Sequence, residues 1–100
     1  MGHCPADRLR DLAPVFDEIR GWPAVSERTA GVFYVKRTPF LHFHMNPEGV
    51  RWADARDGSV WRERIAIPIG AGEAARRRFV RIVRRCYRAT AQDVRIDPAG

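Results

Sequence analysis

His42 and His44 lie two residues apart in FLHFHM, residues 40–45, and Asp54 follows beyond a turn. On an extended strand such a pair projects to one side, its Cα atoms about 7 Å apart. Imidazole suits zinc, copper, nickel and iron, so an HxH pair is half of a divalent-metal site. Asp54, Glu48, His3 and Cys4 are the residues available to complete it. A histidine also titrates near neutrality and moves protons when a carboxylate orients it. The bland alternative is a half-exposed strand that carries two polar rings and does nothing more.

No motif stands behind a catalytic reading. Neither Ser26 nor Ser59 lies in a nucleophile elbow, and no glycine-rich phosphate cradle is present. The expected function is therefore a non-catalytic ligand-binding or accessory domain. Its ligand face holds His42, His44, Phe40 and Arg51 and takes a small ligand or a protein. No cofactor is expected beyond a divalent metal at His42 and His44.

The second candidate surface is basic. The net charge is +6, and Lys36 is the one residue among the eighteen basic ones that is not arginine. A positive field attracts phosphates, nucleic acid and acidic partners. Arg77, Arg81, Arg84 and Arg88 recur at helical spacing, so they form one stripe able to lie along a polyanion. A GC-rich genome produces the same arginine bias with no partner at all. No helix-turn-helix, RNP motif or KH-type loop is recognisable.

The chain that positions these residues has 100 of them, enough for a single α+β domain with one core. Residues 1–13 and 92–100 are expected to be its loosest parts. Cys4 and Cys86 are isolated, with no disulfide framework or zinc-knuckle spacing, as in a reducing cytoplasm. No apolar run approaches the length of a membrane span.

Pro14 suits a first helical turn, and Phe16 and Ile19 continue an apolar spacing, which predicts a helix over 14–20. GWPAVSER reads as a connection. From Gly31 the period becomes that of strands: GVFYVKR, PFLHFHM, VRWADA and VWRERIAIPI. Turns fall at Arg37-Thr38, at 46–49 and at Asp57-Gly58. Residues 73–91 carry Phe79, Val83 and Cys86 at helical spacing and form a long helix.

The expected fold is a four-stranded antiparallel meander with both helices packed on one face. In the register those turns impose, Val32, Tyr34, Leu41, Phe43, Trp52 and Trp61 face the core. Phe33, Val35, Phe40, His42, His44, Arg51, Arg62 and Arg64 face outward, and Asp54 points away from the histidines. The outward face would equally serve a homodimer. One residue of slip inverts the whole assignment.

The run from Trp22-Pro23-x-Val25 into FLHFHM and then a Pro/Gly turn resembles the small bacterial proteins grouped as luciferase-domain-like, over about residues 20–67. The order of helix, antiparallel sheet and C-terminal helix is also similar to MmcQ/YjbR-type domains. Both resemblances imply an α+β fold. Neither implies light-emitting chemistry, because the chain is too short for an oxygenase barrel.

Overall fold

The computed structural model describes residues 2–99, the side chains of Arg62 and Glu63 excepted. Six strands occur among these residues: β1 (Gly2–His3), β2 (Val25–Thr29), β3 (Val32–Val35), β4 (Thr38–Met45), β5 (Arg51–Asp57) and β6 (Val60–Ala66). They form one antiparallel sheet in the order β2-β3-β4-β5-β6, with β1 paired to β4 on the edge that β3 leaves open. The helices are α1 (Ala13–Arg20) and α2 (Glu73–Asp93), and two 3-10 turns, Ala6–Arg8 and Arg10–Leu12, precede α1.

The four expected strands are β3 to β6, and the sheet is larger than a four-stranded meander. The segment read as a connection supplies β2. Its residues VSERT are mostly exposed, so no apolar alternation announces them. A bulge between Glu27 and Thr29 interrupts the ladder of β2 with β3.

The hairpins turn at other residues than the sequence suggests. Val35 pairs with Thr38, so Lys36-Arg37 forms the first turn, with Lys36 in the left-handed region at φ 54°. Met45 pairs with Arg51 across a five-residue loop, and Asp57 pairs with Val60 across Gly58-Ser59. Bulges interrupt β3–β4 beside Phe33 and Tyr34, and β5–β6 beside Ala55 and Arg56. Each slip exchanges the two faces of a strand.

Phe33, Val35, Phe40, Leu41, Phe43, Ala53, Ala55, Ile65 and Ile67 are buried in consequence. Leu41 and Phe43 face the core as expected. Phe33, Val35 and Phe40 are corrected from the outer face to the core, and Val32, Tyr34, Trp52 and Trp61 from the core to the outer face. The expected outward placing of Arg62 lies outside the described residues.

Both helices bring aromatics to this core. Pro14 sits in the first turn of α1, where its missing N–H has no helical partner to lose. Phe16 of α1 meets Phe33 edge-on at 5.1 Å and Phe43 at 5.1 Å. Phe79 of α2 reaches the same Phe43 at 5.6 Å. Glu73 places a negative charge in the first turn of α2, favourable to the helix dipole. Further along α2, Tyr87 donates to Pro23 O at 2.8 Å and Thr90 to Arg56 O at 2.9 Å. Gly31 is required where the chain enters β3. It has φ +76°, and a Cβ there would lie 2.9 Å from Leu9 Cδ1.

Arg51 is a further correction. The sequence predicts an outward ligand contact here, yet Arg51 is 1% exposed. Burying a guanidinium is tolerated only when its donors are satisfied. Nε donates to Ile67 O at 2.7 Å; Nη1 donates to Arg8 O at 2.7 Å and Asp11 Oδ1 at 2.7 Å. Nη2 donates to Asp11 Oδ2 at 2.8 Å and Pro68 O at 2.8 Å. Asp11 also accepts from the Gly70 amide at 2.9 Å. The hydrogen bonds from Arg51, aided by Gly70, hold the Asp11 carboxyl below its ordinary pKa against the opposing effect of burial. One side chain thus ties the N-terminal turns to β5 and to the β6–α2 connection.

Candidate functional site

The outer face of the sheet is built by alternation along β4. Leu41 and Phe43 point inward, so His42 and His44 must point outward. Register then supplies their neighbours. His42 stands opposite Asp54 and Asp54 opposite Arg64; His44 stands opposite Trp52, with His3 of β1 on its other side. Asp54 is therefore corrected to the histidines' own face, since the loop before β5 is one residue longer than expected.

The contacts form two linked groups. His42 packs on Trp61 with ring centroids 4.7 Å apart, and the Arg56 guanidinium lies 5.0 Å over that indole. His44 stacks on Trp52 at 5.6 Å, and the Arg64 guanidinium lies 5.0 Å over that one. The two imidazoles are 6.1 Å apart. Asp54 joins the groups at the centre: Oδ2 is 3.2 Å from His44 Nε2, and Oδ1 accepts from Arg64 Nε at 3.3 Å. Burial, then the charges of His44 and His3, lowers the pKa of His42, while Asp54 pulls it the other way. Its imidazole is thereby biased to the neutral form.

As a metal site this face is incomplete. Among the described residues no group of three or more His, Cys, Asp or Glu side chains is arranged to hold an ion. Glu48 is exposed in the β4–β5 loop, and His3 Nε2 is engaged with Ala30 O at 2.8 Å. Cys4 is buried, and burial raises its thiol pKa, which disfavours the thiolate a metal needs. What the face can do is stack flat rings, offer cations to an anion and exchange protons.

Of the residues first proposed for ligand contact, His42 and His44 are on this face and Phe40 and Arg51 are not. Trp52, Trp61 and Asp54, expected on the other face, and Arg56, not singled out, belong to it as well. The adjacent apolar pair Phe40-Leu41, both buried, marks the bulge between β3 and β4, whereas Trp52, Asp54 and Trp61 changed face with the longer loop before β5, which no residue type announces.

Trp52 carries an unusual cost. Its Nε1–H is buried and has no hydrogen-bond partner among the described residues. An orphaned donor costs about 1–3 kcal/mol. Trp52→Phe removes the donor and keeps most of the ring, so its melting temperature is expected to match or exceed that of the wild type. Trp52→Ala, by contrast, should melt lower. A loss above about 1 kcal/mol in the phenylalanine variant would mean that the indole N–H is satisfied in solution.

On the opposite side of the molecule, Arg77, Arg81, Arg84 and Arg88 all line one groove of about 700 Å³ between α1 and α2. Val15 and Val80 contribute apolar lining, and Arg84 bonds Glu18 across the groove at 2.8 Å. Arg77, Arg81 and Arg88 make no ion pair among the described residues. Within the described residues no helix is long and apolar enough to cross a membrane. No family model, curated protein or solved structure matches the chain, so what it does must be argued from these two surfaces.

Proposed function

We propose that the chain is a binding domain for single-stranded nucleic acid, with the His42/His44 face of the sheet as its contact surface. One observation carries this reading: each imidazole is paired with an indole and each indole with a guanidinium. Every base has a π-face, so aromatic platforms hold single strands with little sequence preference, while neighbouring arginines meet the phosphates. Trp61 is 41% exposed and is the ring most open to a base. The net charge of +6 favours the encounter.

Titration of a fluorescent single-stranded oligonucleotide at several salt concentrations tests this. Affinity is expected to fall steeply with salt. A stacked base contributes about 1–3 kcal/mol, so Trp61→Ala should weaken binding about 5- to 150-fold. The Arg81→Ala, Arg88→Ala double variant should bind as the wild type does.

A second reading places a polyanion along Arg77, Arg81, Arg84 and Arg88, supported by their shared groove between the helices. It expects the reverse pattern, with the arginine pair sensitive and Trp61 silent. Binding by neither surface removes both readings.

A further inference from the structure

The outer face holds groups that move protons but none that attacks. The rings against His42 and His44 are each other, Trp61 and Trp52, and the carboxylate is that of Asp54; no hydroxyl or thiol is among these partners. A face so equipped suits a substrate that brings its own nucleophile. RNA does, because a 2′-hydroxyl stands beside every phosphodiester, and DNA does not. Resting on the nucleic-acid reading above, we propose that this face cleaves single-stranded RNA by transesterification, with His42 as general base and His44 as general acid.

Four features of the face fit the roles. The rings lie 6.1 Å apart, which leaves room for one phosphate with each imidazole near a different oxygen. Asp54 Oδ2 lies 3.2 Å from His44 Nε2 and draws that nitrogen toward itself, leaving Nδ1 as the nitrogen that delivers a proton. No hydrogen bond engages either ring nitrogen of His42 among the described residues. Burial and the nearby His44 and His3 keep that ring inclined to the neutral form a base needs. Two titratable groups held in unlike surroundings are how one site supplies both an acid and a base. Arg56 and Arg64, held over the two indoles, put positive charge on the same face, Arg56 through the Nη2 that its bonds to Pro39 O and Ser59 O leave free among the described residues.

The reaction balances without a co-reactant. His42 takes the 2′-hydroxyl proton as the 2′-oxygen bonds to phosphorus. The bond from phosphorus to the 5′-oxygen breaks, and that oxygen receives a proton from protonated His44. The products are a 2′,3′-cyclic phosphate and a 5′-hydroxyl. Proton exchange with water returns both rings to their starting forms.

The test uses the whole chain, an end-labelled single-stranded oligoribonucleotide and excess EDTA, so that stray divalent ions contribute nothing. Wild type is expected to give fragments ending in 2′,3′-cyclic phosphate. The His42→Ala and His44→Ala variants, shown to be folded by circular dichroism and compared with wild type at protein concentrations that saturate the strand, should cleave about 10²–10⁴-fold more slowly. The all-deoxy strand of the same sequence should bind and stay intact. Asp54→Asn tests positioning: cleavage slows, binding persists and the rate–pH profile shifts. That profile reflects His3, Asp54, Arg56 and Arg64 around the two rings as well as the rings themselves.

Tight RNA binding with no cleavage overturns the catalytic proposal and leaves the binding reading intact. Equal cleavage by the His42→Ala, His44→Ala double variant also overturns it, by tracing the activity to a contaminant. Absence of binding removes both.

Discussion

Replacing Arg51 with alanine is expected to destabilise the fold by about 3–5 kcal/mol, the usual result of breaking a buried, hydrogen-bonded charge pair. Arg51 donates to Asp11 and to the carbonyls of Arg8, Ile67 and Pro68. Alanine leaves Asp11 beside a cavity and strips those three carbonyls of this donor. Domains of this size have about 5–15 kcal/mol in total, so the loss is a large fraction of the whole. Melting should fall by roughly 15 °C or more. Arg51→Lys keeps the charge but cannot reproduce the planar fork, and its loss should be intermediate. Urea unfolding of the three proteins gives the order directly. Equal midpoints for wild type and Arg51→Ala would show that the clamp contributes nothing net, its desolvation having cancelled its bonds.

Phe43→Ala is expected to cost a similar 3–5 kcal/mol for a different reason. Phe43 is fully buried and touches Phe16 of α1 and Phe79 of α2, so truncation opens a cavity where both helices meet the sheet. Phe43→Leu should cost much less, since a branched aliphatic chain refills most of the volume. The adjacent His42→Ala should cost clearly less, because its ring is only partly buried and lies on the outer face. Thermal melts of the three variants check the contrast. A Phe43→Ala protein that melts with wild type would require the helices to close over the gap.

The helices were legible because their signals are local. A proline in a first turn and an apolar spacing place α1 at Ala13–Arg20, against 14–20 expected. The stripe through Phe79, Val83 and Cys86 places α2 at Glu73–Asp93, against 73–91. The existence of β3 to β6 was legible for the same reason, through β-branched and aromatic runs.

Register was not legible, because turns and bulges are chosen by packing. Lys36 adopts a left-handed conformation that its side chain does not announce, and Phe40 and Leu41 are buried consecutively. The outward direction of His42 and His44 survived these slips, but their neighbours did not. Asp54, Trp52 and Trp61 were assigned to the wrong side, and with them went the chemistry of the face. Arg51 was misread because arginine is rarely buried. Only its carbonyl and carboxylate partners, drawn from the N-terminal turns and from Ile67-Pro68, make that position possible.

The bulge in β2 has a consequence for how molecules of this kind meet one another. The rims of the sheet are β2 and β6, and an unpaired rim is a template on which a second strand can grow. At β2 the ladder is broken between Glu27 and Thr29, and the exposed Ser26 and Arg28 lie on either side of Glu27. An incoming strand would find only a few residues in register, next to a charge, before the spacing failed. Growth into fibrils along that rim is disfavoured by the same irregularity that hid the strand from view.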